Sequence, residues 1–145
     1  MIANADRAAM RLAARQAAAR AYAPYSKFRV GAAILTDRGV IHAGCNVENA
    51  SYGLTICAER NAVFHAACQA EGPLKVRAVL VYTPTDTPTA PCGACRQVLN
   101  EFGPNAQVFC ECDGPDAIET TLDQLLPFAF GPHNLAAAKS TGEQP

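Results

Sequence analysis

The sequence has little charge and no excess of either sign. Only 17% of its 145 residues are charged, and twelve basic residues against thirteen acidic ones give a formal net charge of −1. Nucleic-acid affinity depends largely on clustered Lys and Arg, so this balance argues against a polynucleotide-binding protein. Half of the residues are apolar, which is enough to bury a core and excludes a disordered chain.

The sequence also lacks a long apolar run. No stretch approaches the roughly 18 apolar residues of a membrane span. Eleven of the first 23 residues are Ala, but four arginines interrupt any apolar core of a secretion signal: Arg7, Arg11, Arg15 and Arg20. Because Ala is the best helix former, this start predicts the first helix of the domain, and an Arg-rich organellar transit peptide is the alternative. We therefore expect a cytoplasmic protein.

No repeat or long linker divides the sequence, so we expect one domain over residues 1–135 and a frayed tail over residues 136–145. After the Ala-rich helix, apolar periodicity and turn residues predict two hairpin strands, a helix, a strand, a helix, a strand and a short helical turn. Their respective ranges are 29–36, 40–47, 57–70, 76–82, 92–102, 107–110 and 122–126. This order is typical of an α/β domain in which helices cover a mixed sheet.

Cysteine, by contrast, is abundant. Seven cysteines cannot all pair within one chain, and without a secretion signal they indicate metal or redox chemistry rather than a disulfide framework. Cys92 and Cys95 form a Cys-x-x-Cys at the predicted start of one helix, and Cys57 stands at the predicted start of another. A strand joins the two helices, so both starts can lie at one end of the sheet, where helix dipoles favour thiolates. We therefore predict a Zn²⁺ site with three protein ligands and an open fourth position.

Two neighbours of Cys57 complete the predicted site. Three thiolates and Zn²⁺ sum to −1, so a positive group is needed nearby, and Arg60, one helical turn after Cys57, is the candidate. Glu59 is the candidate proton carrier because it can reach a water on the metal without replacing a thiolate. Zinc deaminases as a class combine a Cys-x-Glu or His-x-Glu element with Pro-Cys-x-x-Cys, and this chain has both, at residues 57–59 and 91–95.

Each feature alone has an ordinary structural explanation. A lone Cys-x-x-Cys is a weak signal, an isolated Cys57 would be a small buried apolar residue, and Glu59 alone would be an exposed acid that favours a helix start. The combination at this spacing, with Pro91 before Cys92, is specific. The other four cysteines are expected to be buried or incidental thiols and not a second metal site: Cys45, Cys68, Cys110 and Cys112.

The sequence resembles the small zinc-dependent cytidine deaminases of pyrimidine salvage from the first predicted helix to about Leu135. The resemblance rests on five segments in the same order: YAPYSKF at 22–28, GCNVENASYG at 44–53, LTICAER at 54–60, PCGACRQV at 91–98 and LLPFAFGP at 125–132. It implies a three-layer α/β/α domain with a mixed five-stranded sheet. It also implies one Zn²⁺ per subunit and a homotetramer whose active sites are shared between chains.

The resemblance implies a role for each matched residue. Cys57, Cys92 and Cys95 would bind zinc, and Glu59 would be the general acid and base. The nucleoside contacts would be the side chains of Asn46 and Glu48 at the ribose hydroxyls, the ring of Phe28, the backbone of Ala58 at the base and, from a neighbouring subunit, Ala50, Tyr52 and Phe130. Two positions depart from the family pattern: Arg29, where Pro is common, and Ala90, where Ser or Thr is usual.

The implied reaction is hydrolytic deamination of cytidine and deoxycytidine, with a metal-activated water adding at C4 of the base. A deaminase of a cytosine-containing antibiotic such as blasticidin is the nearest alternative, and Phe28 together with residues 46–48 favours the ordinary nucleoside. A polynucleotide-editing deaminase is disfavoured because no basic stripe is visible and the first ligand is Cys57 rather than His. A zinc-stabilised interaction module without activity is disfavoured by Glu59 and by the open fourth position.

Overall fold

The computed structural model describes residues 1–139, with side chains through residue 136. Each predicted element is confirmed to within two residues at either end. Among the described residues, no helix combines the length and the apolar character that crossing a membrane requires. The helices and strands are α1 (Asn4–Ala19), β1 (Gly31–Thr36), β2 (Ile41–Cys45), α2 (Ala58–Gln69), β3 (Val76–Tyr82), α3 (Gly93–Phe102), β4 (Gln107–Glu111), β5 (Ala117–Thr121), α4 (Leu122–Leu125) and α5 (Pro132–Lys139).

The strands form one mixed sheet in the order β2-β1-β3-β4-β5. β3 and β4 are parallel, and the other neighbouring pairs are antiparallel. The connection between the parallel strands runs through α3, because two parallel neighbours need a crossover. Over residues 1–139 the expected α/β class with a mixed five-stranded sheet is confirmed.

Helices cover both faces of this sheet, which gives the expected three layers. α1 packs on one face through residues four apart: Met10, Ala14 and Ala18. α2 and α3 pack on the other face. Successive residues of a strand point to opposite faces, so Ala33 and Leu35 of β1 lie in the α1 layer, whereas Ala32 and Ile34 lie in the α2 layer.

β5, α5 and a single turn of 3-10 helix over Tyr52–Leu54 lie outside the sequence-predicted pattern. The pattern does not predict β5, because Ala117–Thr121 is a polar edge strand whose place is fixed by antiparallel pairing with β4 rather than by its own periodicity. α5 begins at Pro132, a favourable first helical residue, and continues through an Ala-rich stretch to Lys139. Residues 136–139, expected to belong to a frayed tail, are therefore helical, and the rest of that expected tail lies outside the described residues.

Glycines let two helices approach the sheet closely. A Cβ at Gly44 of β2 would lie 2.4 Å from the backbone nitrogen of Ala62 in α2. A Cβ at Gly31 of β1 would lie 1.9 Å from the carbonyl oxygen of Ala14 in α1. No side chain fits at either distance, so direct packing of backbone on backbone sets the height of both helices above the sheet.

An ionic cluster fastens α1 to β4. The buried carboxylate of Glu111 accepts hydrogen bonds from Nε of Arg7 at 3.1 Å and from Nη2 of Arg11 at 2.7 Å. The two arginines are one helical turn apart and therefore reach the same carboxylate. Burial acts to raise the pKa of Glu111, but the hydrogen bonds and charges of Arg11 and Arg7 outweigh it and hold the pKa below its ordinary value. The prediction that the Ala-rich start forms a helix of the domain is confirmed.

Replacing Glu111 by glutamine is expected to lower the Tm by roughly 5–10 °C. The reason is that both guanidinium groups lose their carboxylate partner, which lowers the free energy of unfolding by about 2 kcal/mol. A depressed folded-state pKa means that this stabilisation is present above the ordinary value of 4.5 and is lost as the pH falls below it. Thermal unfolding of wild type and variant at neutral and at acid pH measures both effects, and the difference in Tm should shrink in acid.

Glu119→Gln is the matched control for this prediction. It removes an exposed ion pair, in which Nη1 of Arg7 lies 2.6 Å from Glu119, and should change the free energy of unfolding by no more than about 0.5 kcal/mol. Equal losses of stability in the two variants would contradict a special role for the buried carboxylate.

Candidate metal centre and active site

Three thiols meet where two helices begin. Cys57 is the residue before α2, Cys92 is the residue before α3, and their Sγ atoms lie 3.8 Å apart. Cys95 lies in the first turn of α3, with its Sγ 3.5 Å from that of Cys92. All three sulfurs fall within 4.8 Å of one another. The expectation that both helix starts lie at one end of the sheet is confirmed.

The three sulfurs fit a Zn²⁺ ion. A tetrahedron with Zn–S bonds of about 2.3 Å has edges of about 3.8 Å, close to the measured separations of 3.5 and 3.8 Å. Cys95 is buried, Cys57 is half-buried and Cys92 is exposed, so the cluster opens towards the surface on the Cys92 side. A catalytic zinc site needs this open position for a fourth ligand.

The remaining cysteines stay apart from this cluster. Within residues 1–139, no second group of three His, Cys, Asp or Glu side chains has the arrangement of a metal site. Cys110 and Cys112 are buried, and burial raises the pKa of Cys110 to about 12. Cys45 is half-buried and Cys68 is exposed on α2.

Hydrogen bonds around Cys57 favour its thiolate. The thiol of Cys95 contributes most, followed by Arg60 and Cys92, and together they outweigh partial burial and lower the pKa of Cys57 to about 5. The same pairing with Cys57, together with burial, raises the pKa of Cys95. Nη2 of Arg60 lies 3.4 Å from Sγ of Cys57, as the spacing of one helical turn predicts. Among the side chains through residue 136, Nε of Arg60 is a buried nitrogen without a hydrogen-bond partner.

Glu59 lies in the first turn of α2 and is only 4% exposed, so it is not the solvated helix-start acid of the ordinary alternative. Burial is the main cause that raises its pKa, and the neighbouring Cys57 acts in the same direction. A carboxyl group that binds a proton more readily than usual, two residues from a metal ligand, is suited to general acid–base chemistry.

Asn46 holds the segment that carries Phe28. Its side chain is 8% exposed, and Nδ2 donates to the carbonyl oxygen of Phe28 at 2.8 Å. Its Oδ1 accepts from the backbone N–H of Val30, also at 2.8 Å. A side-chain amide has two donor hydrogens and two acceptor positions, so one of each remains for a ligand.

Glu48 holds the start of the same segment. It accepts hydrogen bonds from the backbone N–H of Tyr25 at 2.8 Å, from the backbone N–H of Ser26 at 3.2 Å and from the Ser26 hydroxyl. The hydroxyl of Ser26 is the main cause that lowers the pKa of Glu48. The carboxylate is thus both charged and oriented before any ligand arrives.

A cavity of about 440 Å³ lies beside Glu48. Its lining residues are Tyr25, Ser26, Glu48, Tyr52 and Thr55. The rings of Tyr25 and Tyr52 are 5.9 Å apart and tilted by 59°. Two tyrosine rings, one carboxylate and the hydroxyl groups of Ser26 and Thr55 suit a small ligand that combines a flat ring with hydroxyls.

Other candidate residues take different places. Ala58 begins α2 and is fully buried, so only its backbone is available to a ligand. Ala50 lies in an exposed bend before Tyr52, whose side chain is 73% exposed. The ring of Phe130 is 57% exposed, and its carbonyl accepts from Nε2 of Gln97 at 2.9 Å. Of the predicted nucleoside contacts, Glu48 and Tyr52 line the cavity, whereas its lining does not include Phe28, Asn46, Ala50, Ala58 or Phe130.

Arg29, which departs from the family pattern, is not among the residues that line the cavity. Its Nη1 donates to the carbonyl oxygen of Ala19, the last residue of α1, at 2.8 Å. A positive group is favourable at the carboxyl end of a helix, where backbone carbonyls lack partners. Ala90 is partly buried and packs against the core of the α2 layer.

Sequence reasoning gave no role to Ser26 or Arg96, although both lie in the segments that carry the resemblance. Nε of Arg96 donates to the carbonyl oxygen of Pro91 at 2.7 Å, and Nη1 donates to that of Leu125 at 2.9 Å. Arg96 thereby ties the loop before Cys92 to the end of α4. Leu125 is 29 residues from Arg96, so no local sequence pattern could have predicted this contact.

Known proteins resemble this chain in sequence and in fold. A family model described as the cytidine and deoxycytidylate deaminase zinc-binding region matches residues 3–111. A cytidine deaminase from Sporosarcina psychrophila is 45% identical over 125 residues, which cover 86% of this chain and 90% of that protein. A cytidine deaminase from Mycobacterium tuberculosis is 46% identical over 118 residues, covering 81% and 84% respectively. The crystal structure of a cytidine deaminase from Burkholderia pseudomallei has a TM-score of 0.79 and 48% identity, with 85% of this chain and 98% of that one covered.

Proposed function

The chain belongs to the cytidine and deoxycytidylate deaminase family, and from that premise we propose that it deaminates cytidine and deoxycytidine hydrolytically in pyrimidine salvage. The products are uridine or deoxyuridine and ammonia. The observation that carries the proposal is the buried carboxyl group of Glu59 beside three thiols that can hold one metal ion.

Both the family and the thiol cluster indicate Zn²⁺ as the cofactor. Cys57, Cys92 and Cys95 hold one ion per chain, which supplies the Lewis acidity that activates a water molecule. The role proposed for Arg60 is to offset the net charge of −1 by donating to Cys57, with which it is in hydrogen-bond contact.

Glu59 acts as general base and then as general acid. It takes one proton from the attacking water and passes it to N3 of the base. It then takes the proton of the new hydroxyl at C4 and passes it to the leaving amine, so ammonia departs and a carbonyl remains. Each time Glu59 gives up a proton it becomes a carboxylate again, so it can accept the next proton. The raised pKa of Glu59, due mainly to burial, favours its holding a proton between steps.

In this proposal the nucleoside extends from the cavity beside Glu48 to the thiol cluster. Its sugar hydroxyls bind Asn46 and Glu48, which are already oriented by backbone contacts. Its ring packs against Phe28, whose side chain is 40% exposed and therefore accessible. The backbone at Ala58 contacts the base, next to the metal ligand Cys57.

A homotetramer with shared active sites and a cytoplasmic location belong to the same proposal. Tyr52 and Phe130 are among the large aromatic side chains that are exposed on a single chain. Contact with a neighbouring subunit would remove them from water, which is favourable. Together with Ala50, they would close the pocket of a neighbouring subunit, although Tyr52 also lines the cavity beside Glu48 of its own chain. Light scattering of the purified protein should then give about four times the chain mass of 15.3 kDa.

The experiment that tests the proposed function follows the ultraviolet absorbance change as purified zinc-loaded protein acts on cytidine and deoxycytidine. Release of ammonia in equal amount to uridine supports hydrolytic deamination. Full zinc occupancy without turnover of either nucleoside would contradict it, and turnover of blasticidin alone would point to the antibiotic as substrate.

A further inference from the structure

Side chains hold the exposed loop over residues 25–30. The backbone N–H of Phe28 donates to Oγ of Ser26 at 3.0 Å, and the carbonyl oxygen of Phe28 accepts from Nδ2 of Asn46 at 2.8 Å. Both backbone polar groups of Phe28 are therefore bound by side chains rather than by a neighbouring strand. The position of the Phe28 ring depends on these two contacts.

The hydroxyl of Ser26 makes two contacts that no apolar side chain could replace. It accepts from the N–H of Phe28 and donates its hydrogen to the carboxylate of Glu48. Lys27, between the two bonded positions, has a φ of 60°, a left-handed conformation that is uncommon for a residue with a side chain. The bonds of Ser26 therefore hold a turn that the backbone alone does not favour.

Glu48 is already nearly saturated by this loop. A carboxylate offers about four acceptor positions, and the N–H groups of Tyr25 and Ser26 together with the Ser26 hydroxyl occupy three of them. The carboxylate therefore has room for about one further donor, which matches one sugar hydroxyl.

We propose that Ser26 is a positioning residue for sugar recognition, coupling the Glu48 carboxylate to the backbone of Phe28. The inference rests on the proposed function, because it concerns how the nucleoside's sugar is selected at that site. Ser26 acts through two other residues: it orients the acceptor for the hydroxyl, and it fixes the residue whose ring packs against the nucleoside. Sugar recognition and ring placement are thereby linked through one oxygen atom.

Ser26→Ala is expected to raise the KM for cytidine about tenfold while kcat changes less than about threefold, because binding of the sugar is weakened and the proton-transfer machinery is intact. Ser26→Thr keeps the hydroxyl and should restore the KM to within about twofold of wild type. With 2′,3′-dideoxycytidine, which lacks both ring hydroxyls of the sugar, Ser26→Ala should raise the KM less than with cytidine, because only the placement of the Phe28 ring is then lost. Thr120→Ala, which removes a hydroxyl that donates to Gln124 on the opposite side of the sheet, is the matched control.

A double variant tests the coupling itself. Ser26→Ala combined with Glu48→Gln should raise the KM by less than the product of the two single effects, whereas independent effects would multiply. Zinc content and Tm, measured for every variant, show whether the fold and the metal centre are intact. An unchanged KM for cytidine, or an equal rise for the dideoxynucleoside, would overturn the positioning role while wild-type turnover still supports the proposed function. An inactive, zinc-loaded wild type would overturn both.

Discussion

Glu59→Gln is expected to lower kcat on cytidine by about 10³- to 10⁴-fold, at the upper end of what one general acid–base group contributes, because the same carboxyl group makes successive proton transfers. Glutamine has nearly the same size and keeps a hydrogen-bonding group at a site that is 4% exposed, so the packing of α2 is retained. The ultraviolet assay measures turnover, and metal analysis of the same sample should still find one zinc ion per chain.

The matched control for Glu59→Gln is Glu101→Gln, the same chemical change at an exposed position near the end of α3. It should turn over cytidine at the wild-type rate. Glu59→Gln with wild-type turnover would refute the proton-transfer role. Loss of zinc along with turnover would instead show that Glu59 acts on the metal centre as a whole.

Cys92→Ser is expected to remove the zinc ion and to abolish turnover. Structural zinc binding of about 10–16 kcal/mol over four ligands corresponds to roughly 3 kcal/mol for each, so loss of one thiolate should weaken binding on the order of 10²-fold or more. Cys92 is exposed and precedes α3, and serine is a preferred residue at that position of a helix. The chain should therefore remain folded, which separates loss of metal from loss of structure.

Competition with a zinc chelator measures this affinity, and circular dichroism follows the fold. Cys68→Ser provides the matched control, since Cys68 is also an exposed cysteine but lies on α2 away from the cluster. It should keep wild-type zinc affinity and turnover. If Cys92→Ser bound zinc as tightly as Cys68→Ser, the three-thiol site would be wrong.

Features with a short sequence period or a fixed local spacing could be predicted from the sequence. The Val-rich apolar run predicts β3 with the bounds that the structure has, Val76–Tyr82. A buried strand between two helices is marked by such a short apolar run. Cys57, Cys92 and Cys95 could be grouped because each stands at a predicted helix start, and the strand between those helices brings the starts together.

Features that depend on partners distant in the chain could not be predicted. β5 is polar and becomes a strand only because β4 offers it an edge to pair with. Arg7 and Arg11 bind a carboxylate at Glu111, about a hundred residues further on, and no local pattern marks that partner. The contact of Ser26 with Glu48 spans 22 residues and joins two loops whose relative position depends on the whole sheet.

Gly44 has no catalytic or metal-binding role, but a substitution there would disturb the metal site. Any side chain there would meet the backbone of α2 at Ala62 and displace the helix from the sheet. Cys57 would move with that helix, whereas Cys92 and Cys95 belong to α3 and would stay behind. A single added methyl group at a residue that binds no metal would thus move one of the three thiols away from the other two. Conservation of such a glycine would therefore reflect the geometry of the metal rather than the flexibility of the chain.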